Sequence, residues 1–175
     1  LVIGAGVIGL AVAKWARFFG AADIVVSDLD AQRLDRARAS GATAVIDASA
    51  NPDAVQGFRD AAGGEPDVIF EGVGRPMLQQ LIDIAPVGCH SVSVGVSMAE
   101  EPVSPLAAAQ KKVRLSFSFG YTIKDLAFVT RMLADKRLLV DELITEKVTL
   151  EQVPEVFEGL MQPNGHCKIV IQPNN

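Results

Sequence analysis

Leu1-Val2-Ile3-Gly4-Ala5-Gly6-Val7-Ile8-Gly9 carries an apolar segment into a Gly-x-Gly-x-x-Gly turn. Each glycine has a separate physical task. Gly4 permits the tight turn out of a strand, Gly6 lets the backbone come close to a pyrophosphate, and Gly9 lets the next helix pack tightly on a sheet. A helix opening near Val7 would aim its free N–H groups and positive dipole end at phosphate oxygens. Alone, these residues describe any glycine-rich strand-to-helix turn. The context adds three matches. An apolar strand precedes the turn. The helix that follows, Val7 to Phe19, is nearly apolar all round and is therefore expected to be buried. A second strand, Ile24-Val25-Val26-Ser27-Asp28, ends on an acid.

Asp28 lies 19 positions after Gly9, close to the spacing of about 20 at which an acid meets the adenosine ribose of a dinucleotide. Its carboxylate would accept hydrogen bonds from the ribose hydroxyls and repel the extra phosphate of NADP, which favours NAD. Asp30 is the better helix cap, which leaves Asp28 free for the sugar. Arg33, one helical turn on, could lie against the adenine or neutralise a 2′-phosphate. Beside Asp28, the adenine role is preferred.

Outward from this turn, strand and helix alternate. Leu1–Ile3, Asp23–Ser27, Ala44–Ile46, Asp67–Phe70, Ser91–Val94 and Val113–Phe119 read as buried parallel strands. Asp30 caps a helix that stops before Gly41. Asn51-Pro52 places a cap before a proline at the first helical position, and Gly63-Gly64 closes that helix. Ser104-Pro105 repeats the device, and Thr122 with Asp125 resembles a capping box. No hairpin signal interrupts the rhythm. The expected fold class is α/β, a doubly wound, six-stranded parallel sheet with helices on both faces. After about residue 138 the rhythm changes. A short strand within Glu142–Val148, a helix opened by a Thr149-x-x-Gln152 capping box, a turn at Pro163-Asn164-Gly165 and a last strand Cys167–Ile171 form a tail that looks appended to the sheet.

The length of 175 residues suits one domain, and 49 % hydrophobic residues supply its core. No apolar run reaches the roughly 20 residues of a membrane span. A net charge of −5 with no basic stripe argues against nucleic acid as a partner. Two cysteines make no disulfide framework, so the cytoplasm is the expected compartment. Leu1 reads as the middle of a strand, so the chain is expected to be the C-terminal part of a longer protein.

Five stretches together resemble the medium-chain dehydrogenases, the zinc-type alcohol and polyol dehydrogenases. They are Val2–Leu10, Val26–Leu34, Ala39–Ala42, Asp67–Gly74 and Ser93–Val96. The Asp28 and Arg33 pair is most like sorbitol and related polyol dehydrogenases. The resemblance implies an NAD-binding Rossmann domain over 1–140 and a tail over 141–175 that belongs in relatives to the catalytic domain. It implies that Val7 and Ile8 line the pyrophosphate turn. Gly72-Val73-Gly74 would flank the adenine-side ribose and the nicotinamide approach. Val94, Gly95 and Val96 would contact the nicotinamide ring and carboxamide, and the backbone of Phe119-Gly120-Tyr121 the carboxamide. Lys168 would reach the pyrophosphate, where relatives often carry arginine. Gly88-Cys89-His90 departs from the family's usual entry to the fifth strand. The resemblance further implies a small alcohol or polyol substrate, a homodimer or tetramer formed through the edge strand near Val113–Phe119, and zinc ligands only in an upstream domain.

No residue of the chain is therefore assigned a catalytic or metal-binding role. Cys89-His90 and His166-Cys167 could together supply four zinc ligands, but neighbours in a strand face opposite ways, and a buried thiol beside a surface imidazole is the expectation. Glu100-Glu101 reads as a solvated turn, and Glu71 as a hydrogen-bonded structural acid at the cofactor edge. Three other readings compete: a zinc-free, NADPH-dependent quinone or enone reductase of the same superfamily, a methyltransferase, and a non-catalytic NAD-binding dimerisation module. Asp28 counts against the first, the six-strand pattern against the second, and the third is open because fold analogy does not prove activity.

Overall fold

The computed structural model describes residues 1–161 and 164–173. Six strands, β1 (Val2–Ile3), β2 (Val25–Asp28), β3 (Ala44–Asp47), β4 (Val68–Glu71), β5 (His90–Ser93) and β6 (Arg114–Phe117), form one sheet in the order β3-β2-β1-β4-β5-β6. Every pairing is parallel. The order reverses between β1 and β4. The crevice at the carboxyl ends of those strands is the topological switch point, where open α/β sheets receive ligands.

Helices cover both faces because strand side chains alternate. Val25 and Ile69 join Val55, Phe58 and Leu81 in a core beneath α3 (Ala54–Ala62) and α4 (Leu78–Ile84). Val2 and Val26 join Leu10, Ala13 and Ala37 beneath α1 (Val7–Phe18) and α2 (Ala31–Ala39). Each such fully buried aliphatic side chain stabilises the fold by about 1.5–3 kcal/mol.

Three caps fall where the sequence puts them. Asp30 accepts from the Gln32 and Arg33 N–H groups at the head of α2. Ser104, ahead of Pro105, caps α5 (Pro105–Lys111). Thr122 and Asp125 form the reciprocal capping box of α6 (Ile123–Ala134), and the Thr122 hydrogen bonds hold the Asp125 carboxyl below its usual range.

Four expectations need correction. The cap of α3 is Asp53, whose Oδ1 accepts the Gln56 N–H at 2.9 Å, so Pro52 precedes the cap and Asn51 does not act as one. Thr149 is not a helix cap either. Gln152 reaches back to the Thr149 N–H at 2.9 Å, but α7 (Val153–Gly159) begins four residues later than Thr149, with no side-chain cap.

The helix α1 is not buried all round. Gly9, Leu10 and Ala13 are buried, Ile8 is 50 % exposed, and its C-terminal end is an aromatic cluster of Trp15, Phe18 and Phe19 stacked with Phe128 of α6. Apolar composition did not specify what would cover it. Finally, the tail does not extend the main sheet. Strands β7 (Ile144–Val148) and β8 (Lys168–Ile171) pair parallel with each other as a separate two-stranded sheet.

That tail is nonetheless anchored to the α1 and α2 face. Leu143 and Cys167 pack into its core, Glu142 pairs with Lys14, and Arg36 donates to the Gly165 carbonyl. The expected turn at Pro163 begins outside the described residues.

Candidate functional site

The glycine turn sits at the carboxyl end of β1. Gly4 adopts φ +95°, a left-handed conformation that a side chain would strain. Its N–H bonds the Ser27 carbonyl, and the Gly72 N–H bonds the Ile3 carbonyl, so turns from three neighbouring strands are tied together. A Cβ on Gly9 would lie 1.8 Å from the Gly4 carbonyl oxygen. Gly9 is therefore required by the fold itself.

Gly6 is different. It adopts φ −70° and ψ 179°, open to any residue, and a Cβ there would meet nothing within 4 Å. The fold gives no reason for glycine at this position. As the residue capping α1 it offers no side-chain acceptor, so the N–H groups of Val7, Ile8 and Gly9 have neither an intrahelical nor a capping partner. A bare backbone, unpaired donors and the positive end of a helix of 12 residues fit a diphosphate.

One strand over, Asp28 ends β2. It is not free, as the sequence reading supposed. Its Oδ2 accepts the Ala5 N–H at 2.6 Å and its Oδ1 the Asp30 N–H at 2.9 Å. An ionised carboxylate has about four acceptor sites, so these two bonds fix its orientation and leave capacity for a pair of hydroxyls. The same carboxylate thus braces the glycine turn.

The other expected positions divide into two groups. Gly72-Val73-Gly74, Val94-Gly95-Val96 and Phe119-Gly120-Tyr121 all follow the carboxyl ends of β4, β5 and β6, on the edge that carries the glycine turn. A side chain on Gly4 would meet Val73 Cγ2 at 3.0 Å, and one on Gly95 would meet the Gly74 N at 2.4 Å. These loops are in close backbone contact. A cleft of about 240 Å³ opens beside them, lined by Arg75, Leu78, Val96, Ser97 and Phe119 among others. A larger cavity of about 760 Å³ lies at the opposite, amino ends of β4–β6, beside Asp67, Gly88 and Lys111, and has no connection with the glycine turn.

Arg33 and Lys168 form the second group. Arg33 lies on the first turn of α2 and Lys168 is exposed at the start of β8. Both are within charge range of Cys167, whose thiol burial pushes up while Arg36, Arg33 and Lys168 act to lower it. Among the described residues no hydrogen bond or ion pair ties Lys168 to the glycine turn.

Glu71 is 2 % exposed, and both of its oxygens are hydrogen-bonded. Its Oε1 accepts the Val73 and Gly74 N–H groups at 2.5 and 2.8 Å, and its Oε2 the Ser93 hydroxyl at 3.1 Å. The Ser93 partner went unnoticed in the sequence. Its only signal is register, since Ser93 stands opposite Glu71 across the β4–β5 pair. Glu101 is not a solvated turn residue. Its Oε2 accepts the Leu78 N–H at 2.7 Å and so caps α4 from 23 residues away.

Cys89 is buried, and burial pushes its thiol up. His90 is half-buried, with Nε2 2.8 Å from the Ser116 hydroxyl. His166 faces Glu146. Among the described residues no group of three or more His, Cys, Asp or Glu is placed to hold a metal ion, and no helix is long and apolar enough to cross a membrane.

The family model described as zinc-binding dehydrogenase matches residues 7–135, the span from the start of α1 to the end of α6. The chain belongs to that family. Among curated relatives of the chain, sorbitol dehydrogenase of Homo sapiens is 33 % identical over 175 residues, covering 98 % of the chain and 48 % of the relative. The crystal structure of 2R,3R-butanediol dehydrogenase from Bacillus subtilis superimposes with a TM-score of 0.83 at 29 % identity, covering 99 % of the chain and 50 % of that structure. A zinc-binding dehydrogenase from Sinorhizobium meliloti 1021, solved bound to NADP, gives a TM-score of 0.85 at 26 % identity, covering 98 % and 51 %. The chain spans about half the length of the curated relatives it matches. The relatives are oxidoreductases of alcohols and polyols, and the matched half is the cofactor-binding one.

Proposed function

We propose that the chain is the cofactor-binding part of an NAD-dependent alcohol or polyol dehydrogenase. The observation that carries this reading is Gly6, a glycine the fold does not need, at the head of a helix with unpaired N–H groups and beside an oriented carboxylate. The Val7 and Ile8 amides would hold the pyrophosphate, Asp28 the adenosine ribose, and Arg33 would lie against the adenine. Gly72-Val73 would flank the adenine-side ribose and the nicotinamide approach, and the Val94–Val96 and Phe119–Tyr121 turns would receive the nicotinamide and its carboxamide. Lys168 would approach the pyrophosphate from the tail.

The bound nicotinamide supplies a hydride acceptor, and zinc held by residues outside this chain would polarise the alcohol oxygen. The tail over 141–175 would complete that other domain. The strand β6 is at the sheet edge, with Phe117 67 % and Phe119 88 % exposed. An unpaired edge flanked by apolar side chains supports pairing with a second copy of the chain.

Titration with NADH and NADPH tests the cofactor assignment. The expected result is at least about ten-fold tighter binding of NADH, because Asp28 would repel a 2′-phosphate. Tighter binding of NADPH would overturn the assignment and promote the zinc-free reductase reading.

A further inference from the structure

The Glu71 carboxylate is buried at the cofactor edge, and all of its hydrogen-bond partners are neutral. Two backbone N–H groups and the Ser93 hydroxyl donate to it, the latter shared with the Gly95 carbonyl at 3.2 Å. The two N–H groups that converge on Oε1 make that oxygen an acceptor. Among the described residues no lysine, arginine or histidine forms an ion pair with it. Arg75 and Glu101 are the charged side chains that share the adjoining cleft, and Glu101 is committed to the Leu78 N–H.

A carboxylate held by N–H dipoles and by no ion-paired cation keeps a negative field, which the Arg75 guanidinium of the same cleft opposes in part. That field bears on the Val94-Gly95-Val96 turn, because Glu71 Oε2 would lie 3.0 Å from a Cβ on Gly95. The acid is pressed against the backbone of the turn proposed to face the nicotinamide.

We propose that Glu71 is the counter-charge of the oxidised nicotinamide, so that this site holds the cationic form of the ring more tightly than a neutral one. The inference rests on the dinucleotide lying in the β1–β4 crevice with its nicotinamide at the Val94–Val96 turn. The ring carries one positive charge when oxidised and none when reduced. A fixed carboxylate below the turn acts on the first form and not on the second. At an effective dielectric of about 20, two unit charges roughly 10 Å apart change affinity about ten-fold. Glu71 makes no contact with substrate in this account. It acts through its charge and through the two turns it braces.

The experiment compares three probes on the wild-type protein and on Glu71→Gln. They are ADP-ribose, NAD+, and the dinucleotide in which a neutral benzamide replaces the nicotinamide. Failure of ADP-ribose to bind the wild type would overturn the crevice assignment and this inference with it. With ADP-ribose bound, the wild type is expected to prefer NAD+ over the benzamide dinucleotide by about ten-fold. Equal affinities there would overturn the inference while leaving the crevice assignment standing, and this comparison needs no variant. Glu71→Gln keeps the shape and an acceptor for the Val73 and Gly74 N–H groups but drops the charge. It should bring the two dinucleotides within about two-fold of each other with ADP-ribose unchanged. Equal weakening of both dinucleotides would instead mark Glu71 as a structural brace.

Discussion

Replacing Gly9 with valine is expected to lower the unfolding free energy by about 3–5 kcal/mol and to remove dinucleotide binding with it. The added Cβ would sit 1.8 Å from the Gly4 carbonyl oxygen and 3.0 Å from its carbon. Both are backbone atoms held between β1 and α1, and neither can move aside as a flexible side-chain end would. Gly6→Ala is the informative partner. Its backbone is already in a conformation open to alanine, and the new methyl meets no protein atom within 4 Å. Stability should change by less than about 0.5 kcal/mol, while dinucleotide affinity should fall steeply because the methyl would occupy the place proposed for a phosphate oxygen. Urea unfolding and fluorescence titration of NADH on the two variants separate these effects. Unchanged NADH affinity in Gly6→Ala would remove the phosphate from the turn.

Asp28→Ala should weaken NADH by about 10–100-fold, the loss of one or two hydrogen bonds to a charged acceptor at about 1.5–3 kcal/mol in all. It should weaken NADPH less, because repulsion of the 2′-phosphate goes at the same time. The gap between the two cofactors then narrows. Part of the effect is indirect, since the Ala5 N–H loses its acceptor at 2.6 Å and the glycine turn loses a brace. Asp28→Asn keeps an acceptor for Ala5 and isolates the charge. It should recover the turn's stability without recovering discrimination. Equal loss for both cofactors in both variants would leave Asp28 as a purely structural residue. Dissociation constants for NADH and NADPH in the three proteins decide the matter.

The sheet was legible because parallel strands covered on both faces read as short unbroken apolar runs, as in Ile24–Val26 and Val68–Phe70. Their ends were less so. The edge strand is Arg114–Phe117 and not the longer Val113–Phe119, since apolar character continues past the last hydrogen bond. Local signals could rank caps but not choose between them. Asn51 and Asp53 both suit the start of α3, and the bond to the Gln56 N–H goes to Asp53. The exposure of α1 was illegible for a different reason: apolarity states what a helix tolerates and not which surface meets it.

At the candidate site the glycine turn and Asp28 stood out through their spacing together with the strands and helix that flank them. The bond from Ala5 to Asp28 joins residues 23 apart, and that from Ser93 to Glu71 residues 22 apart. Only the register of neighbouring strands creates them. The position of Lys168 was not legible in the sequence. Its strand belongs to a small sheet whose position depends on tertiary contacts of Cys167, Gly165 and Leu143, none of which a motif encodes.

A crystal structure of the protein with NADH bound tests the central claim most directly. Pyrophosphate oxygens are expected within hydrogen-bond distance of the Val7 or Ile8 amide, with no side chain intervening at Gly6, and both adenosine ribose hydroxyls on the Asp28 carboxylate. A dinucleotide bound away from the β1–β4 crevice, or a crevice left empty at saturating NADH, would contradict it.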